Sequence, residues 1–114
     1  VLGMAEEFGG DGIAVNALWP RTTIATAAIA NILGGTELMR ASRTPAIMAD
    51  AAHVILTKPS RQTTGQFFID DTLLHAEGVR DFDQYRVDPA VDLEADFFVP
   101  EASKPPVSLT QVKA

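Results

Sequence analysis

The chain has 114 residues, 46% hydrophobic and 21% charged, which suits one small globular domain. It has no cysteine, which excludes disulfides, thiolate metal sites and a cysteine nucleophile, and its formal charge of −6 argues against nucleic acid as a partner, because phosphate binding needs a basic face. No apolar run approaches the roughly 18 residues of a membrane span, and the first residues lack the basic and apolar regions of a signal peptide, so a cytoplasmic or otherwise soluble intracellular setting is expected.

Val1, Met4, Ala5 and Phe8 recur at helical spacing, with Glu6 and Glu7 on the other side. Gly9 and Gly10 are expected to end this helix in the left-handed conformation of a C-cap. Ile13 to Trp19 reads as a strand whose near-continuous apolar character, broken only by Asn16, suits a parallel strand buried on both faces. Pro20 ends it, since proline cannot donate to a sheet ladder. Ala25, Ala28, Ile29, Ile32 and Leu33 form a second helical stripe, closed by Gly34 and Gly35, and Thr36 is the expected cap of a short helix through Met39 and Arg40. Thr44 is the expected N-cap and Pro45 the first residue of a helix whose apolar face runs from Ile47 to Ile55, with Pro59 as its stop.

Thr64-Gly65 is a turn signal, and Gln66 to Asp70 reads as the second strand. Ten of the fifteen acidic residues fall between Asp70 and Glu101, the pattern of a solvated surface. Past Arg86, Asp88-Pro89, Pro100 and Pro105-Pro106 punctuate a stretch with little periodicity, and about 101–114 is expected to be a disordered tail or linker.

Strands alternating with helices predict an α/β fold with right-handed crossovers and a parallel sheet. Two parallel strands, apolar on both faces, need neighbours to make a stable sheet, and Val1 already lies inside an amphipathic helix. The chain therefore reads as a piece of a doubly wound sheet, two strands with flanking helices over residues 1–100. Alone it is expected to lack a cooperative fold, because the burial needed to offset chain entropy is missing.

Three stretches carry a resemblance. Ile13-Ala-Val-Asn16 through Pro20, Thr44-Pro45 through Leu56, and Thr64 through Asp71 resemble, in order, the sixth strand, the last crossover helix and the last strand of the short-chain dehydrogenase/reductase family. Ala17 to Thr26, Leu33-Gly-Gly35, Phe68-Ile-Asp70, Glu77-Gly78 and Ala95-Asp-Phe-Phe98 narrow the likeness to a hydroxysteroid-dehydrogenase-like group within it. The resemblance implies a Rossmann-type domain, NAD or NADP as cofactor, and a small-molecule carbonyl or alcohol as substrate, lipid-like or steroid-like if the apolar residues around Met39 and Met48 line its pocket. It places Pro20, Thr22, Ile24 and Thr26 beside the nicotinamide. Ile24 would offer backbone N–H and C=O to the carboxamide, and Thr26 its hydroxyl. The wider family has glycine after the strand-ending proline where this chain has Arg21, so the contacts are displaced by about one residue. The family's glycine-rich turn and catalytic serine, tyrosine and lysine are expected before Val1. The one tyrosine here, Tyr85, is followed four residues later by Pro89 and not by lysine, so no catalytic residue is assigned. The alternative reading is a non-catalytic module that self-associates as a homo-oligomer through the exposed helix face and last strand.

Several residues have plainer readings. Thr22, Thr23 and Thr26 also fit helix capping. Arg21 meets either a phosphate or solvent, and Trp19 is a core or pocket-wall residue. His53 falls on a polar helix face and His75 has no evident partner. Asp70 and Asp71, as adjacent strand residues, are expected to point to opposite faces and not to act jointly. Asp81, Asp83 and Asp88 lack the glycine and glutamate of a calcium loop.

Overall fold

Among the described residues three pairs form the parallel ladder: Ala17, Leu18 and Trp19 of β1 (Ala17–Trp19) stand opposite Phe67, Phe68 and Ile69 of β2 (Phe67–Ile69). The structure is a computed structural model that describes residues 1–33, 35–96, 99–100 and 103–109, and of Ile32 and Leu33 the backbone only. The expected Gly34 helix stop and the Phe97-Phe98 pair lie outside the described residues.

The first strand is shorter than the Ile13–Trp19 run because upstream of it side-chain bonds interrupt the ladder, leaving the Gly65 N–H to the Val15 carbonyl at 2.9 Å as a backbone link. The Asn16 amide oxygen accepts the Gln66 N–H at 3.0 Å while its NH2 donates to the Thr63 carbonyl at 3.1 Å. The Thr64 hydroxyl accepts the Val15 N–H at 3.0 Å. The second strand stops before Asp70, which instead opens a helix.

Helix α1 (Leu2–Gly9) ends without a left-handed glycine at Gly9 or Gly10: Gly10 has φ −64°, still right-handed. The chain turns over two further residues, and the left-handed position is Gly12 at φ +75°. A Cβ there would stand 2.9 Å from the Arg61 guanidinium, so both conformation and space call for glycine. The second stripe forms a π-helical turn (Ile29–Leu33) followed by α2 (Gly35–Arg40), which begins one residue before Thr36. Helix α3 (Ala46–Leu56) has Pro45 and not Thr44 at its N-cap, with no capping side chain. The Thr44 N–H is instead bonded to the Tyr85 carbonyl at 2.6 Å, which places Thr44 in an extended pairing before the helix. Helix α4 (Asp70–Ala76) follows β2 directly, and a 3-10 turn spans Asp83–Tyr85.

The core lies between α3 and α4. Ile47 and Ala51 of α3 meet Leu73 and Leu74 of α4, closed by Phe82 and Tyr85, with Leu18, Ile24, Met48 and Phe68 packed against them. Met48 thus belongs to the core. Residues 103–109, expected to fall in a tail or linker, lie against the body: the Leu109 carbonyl accepts the Leu93 N–H at 2.9 Å, and Val107 packs on the core.

Candidate functional site

Ligands of open α/β sheets sit beyond the carboxyl ends of the strands, and here that edge is the segment from Pro20 to Thr26. Its backbone is held from two sides. Ile24 forms a parallel bridge with Arg43: the Arg43 N–H donates to the Thr23 carbonyl at 3.1 Å, and the Arg43 carbonyl accepts the Ala25 N–H at 2.9 Å. Thr22 forms an antiparallel bridge with Ala95, in which the Thr23 N–H donates to the Glu94 carbonyl at 3.0 Å and the Asp96 N–H to the Arg21 carbonyl at 2.9 Å.

A parallel bridge uses the groups of the residues on either side of its central residue. The N–H and C=O of Ile24 itself therefore face away from Arg43, and no hydrogen bond to either is seen among the described residues. Thr26 is exposed, and its hydroxyl lies 3.5 Å from the Ile29 N–H at the start of the next helical turn. Pro20 is half-buried, and Thr22 is fully buried with its hydroxyl donating to the Thr23 carbonyl at 3.0 Å.

Beneath this segment is a cluster of buried charges. Arg21 is only 2% exposed, contrary to either solvent or a phosphate. Its N–H donates to Asp70 Oδ1 at 3.0 Å, its Nε to Asp71 Oδ1 at 3.2 Å, and its Nη atoms to Ser103, Thr72 and the Lys104 carbonyl. Arg43, equally buried, donates from Nη1 to Asp71 Oδ2 at 3.1 Å and lies over the Phe82 ring. Asp70 and Asp71 do act together, against the strand-alternation expectation, because they occupy the first turn of α4 and not successive strand positions. Burial pushes the Asp70 carboxyl up to about 6, against the lowering effect of the N–H groups of Arg21 and Asp71. Its Oδ2 and the Arg43 Nε have no partner among the described residues.

Arg43 drew no notice in the sequence, and the pairing that would have pointed to the cluster is set by the fold. Extending the Trp19–Ile69 register by two residues puts Arg21 opposite Asp71. Several other ionisable residues are tied up locally. The Tyr85 hydroxyl donates to Asp50 at 2.5 Å, and burial with that bond pushes it up to about 12, so it stays protonated. His75 stacks on Phe82, Asp83 pairs with Arg86, and Asp88 pairs with Arg40. His53 is exposed on α3. Among the described residues no group of three or more His, Asp or Glu could hold a metal ion, and no helix is long and apolar enough to cross a membrane.

No family model matches the chain. Over 101 residues it is 54% identical to the hydroxysteroid dehydrogenase-like protein 2 of Xenopus tropicalis and 50% identical to that of Homo sapiens, in each case across 89% of this chain. The structure superposes on a putative dehydrogenase from Xanthomonas campestris with a TM-score of 0.81 and 52% identity, over 88% of this chain and 36% of that one. A short-chain dehydrogenase from Mycobacterium thermoresistibile gives 0.77 and 47%, over 92% and 37%. The likeness is to the short-chain dehydrogenases. It agrees with the resemblance drawn from the sequence, and so do the α/β class and the parallel strand pair flanked by helices. The chain spans about a quarter of the length of the curated relatives it matches, 24% for the Xenopus tropicalis protein.

Proposed function

We propose that this short-chain-dehydrogenase segment is the carboxyl-terminal part of an NAD(P)-dependent oxidoreductase domain, and that it forms the nicotinamide-side rim of the cofactor site. The observation that carries this is the N–H and C=O of Ile24, without a hydrogen bond among the described residues, on a braced backbone at the strand ends. A carboxamide has both donors and acceptors, and a buried site must answer both. One residue of extended backbone does so if its own groups are not spent on the fold. Ile24 and Thr26 meet the cofactor, and Pro20 and Thr22 shape the segment behind them. The bound cofactor supplies hydride transfer to or from a carbonyl or alcohol carbon. The substrate lies beside the helical turns after Thr26, where the half-buried Ile29 and Met39 favour an apolar, lipid-like or steroid-like body.

The test is Ile24→Pro in the intact protein. Proline removes an N–H that the fold does not use, so the bridge to Arg43 survives while one carboxamide contact goes. NADH or NADPH binding, followed by Trp19 fluorescence, is expected to weaken about tenfold, the worth of a hydrogen bond in a shielded site. Unchanged binding sinks the reading.

A second reading has its own observation. Leu2, Met4, Ile13, Leu56 and Phe67 are exposed, Leu56 by 83% and Leu2 by 63%. A cleft of about 460 Å³ lined by Ile13, Ile55 and Leu56 adjoins them. Apolar area of this kind suits a contact with further protein. Self-association through it predicts that Phe67→Asp shifts the sedimentation coefficient toward monomer.

A further inference from the structure

We propose that Asp71 is a positioning residue for the nicotinamide-side rim: its two carboxylate oxygens hold the guanidinium groups of Arg21 and Arg43, and thereby fix both ends of the backbone that presents Ile24. This rests on the reading that Ile24 meets the nicotinamide.

Arg21 begins the presenting segment, and Arg43 clamps it through its own backbone on either side of Ile24. Each arginine reaches a different oxygen of the same carboxylate, Oδ1 at 3.2 Å and Oδ2 at 3.1 Å. The two arginines are not equally dependent on it. Arg21 has further acceptors in Ser103, Thr72 and the Lys104 carbonyl. Arg43 is 1% exposed, its Nε has no partner, and Asp71 is its one ion-pair partner among the described residues. A buried guanidinium deprived of the one carboxylate it directly pairs with is driven toward water. The Arg43 backbone then moves with it, and that backbone is what holds Thr23 and Ala25. Asp71 itself is fully buried at the start of α4, so it acts through Arg43 and touches no ligand. Asp70 complements it by accepting the Arg21 N–H, which locks the place where the segment leaves β1.

The experiment compares NADH with ADP-ribose, and NADPH with 2′-phospho-ADP-ribose, in the intact protein. The shorter ligands keep the adenine end and lack the nicotinamide. Asp71→Asn is expected to weaken the dinucleotide about tenfold and the shorter ligand less than about twofold, with Asp71→Glu recovering part of the difference. Equal weakening of both ligands, or no weakening of either, overturns the proposal. Should Asp71→Asn fail to fold, Arg43→Lys keeps the cation and the backbone bonds but loses the planar fork. An unchanged ratio between the two ligands in Arg43→Lys overturns the proposal equally. A wild-type protein that binds the dinucleotide no more tightly than the shorter ligand overturns the Ile24 reading first, and this proposal with it. A wild-type preference that survives Asp71→Asn overturns this proposal alone.

Discussion

The two sides of this small sheet invert the usual distribution of charge and grease. Beyond the carboxyl ends of the strands, Arg21, Arg43, Asp70 and Asp71 are buried to 2% exposure or less. On the side of α1 and the outer face of β2, Leu2, Met4, Ile13 and Phe67 stand half or more in water. Burial here follows from the availability of partners. The charges are buried because each is held by a neighbour at a strand or helix end, while the apolar side chains are covered on one side at most, as Phe67 is by the edge of Trp19. A buried ion pair is weak evidence for net stability, but it specifies one geometry. That is what a ligand rim needs.

Breaking the charged side should have the largest effect. Asp71→Asn in the intact protein removes the shared anion of two buried cations and is expected to cost about 3–5 kcal/mol in chemical denaturation. A cost under about 1 kcal/mol would mean that the arginines reach water easily and that the cluster is not tight. The apolar core sets the scale for comparison. Ile47 is fully buried between α3 and α4, and Ile47→Ala is expected to cost about 2–4 kcal/mol by the same measurement, from lost transfer energy and the cavity left behind.

The contrast also explains what could be read from the sequence. The helices and strands were legible because glycine and proline punctuate apolar runs of the right period, as at Pro20, Pro59 and Gly65. Their ends were less so. Whether Asn16 joins a ladder depends on Gln66 and Thr63, which are distant in sequence. The open backbone at Ile24 was expected from the family likeness, but the sequence could not show that Arg43 braces it. The largest miss was the buried cluster. Arg21 looked like a surface residue because arginine usually is one, and Asp70-Asp71 looked like a strand pair because the strand is read through Asp70 and no helix is predicted after it, where α4 begins. Both errors have a tertiary cause, because the partners that bury Arg21 and draw Asp70 and Asp71 into a helix start lie about fifty residues apart in sequence.

Asp70 sharpens the comparison through pH. Its carboxyl is pushed up to about 6 in the fold, from an ordinary 3.8. The folded state therefore binds the proton more tightly than the unfolded chain. The stability this confers is full below about pH 4 and is lost as the pH rises through 6, a swing of about 3 kcal/mol at most. Asp70→Asn keeps an acceptor for the Arg21 N–H and carries no titrating charge. Urea midpoints at pH 4.5 and 7.5 should show the wild type losing stability relative to Asp70→Asn by about 1–3 kcal/mol across that interval. A constant difference would place the ionised carboxylate in a better-solvated site than its burial indicates.

The smallest effect is expected where the same chemistry meets water. Lys58 and Glu77 pair at 2.8 Å, shorter than either contact to Asp71, and they join the end of α3 to the end of α4. Distance alone would rank this bridge first. Its side chains are 31% and 42% exposed, however, so solvent screens the attraction and ordering two long side chains offsets most of it. Lys58→Ala should cost less than about 1 kcal/mol, and the cost should shrink further when salt is raised from 0.05 M to about 0.5 M. Asp71→Asn should keep its penalty over the same range, because ions do not reach the cluster. Equal salt sensitivity in the two variants would show that the arginine cluster is hydrated, and would remove the physical basis for treating it as the fixed side of the molecule.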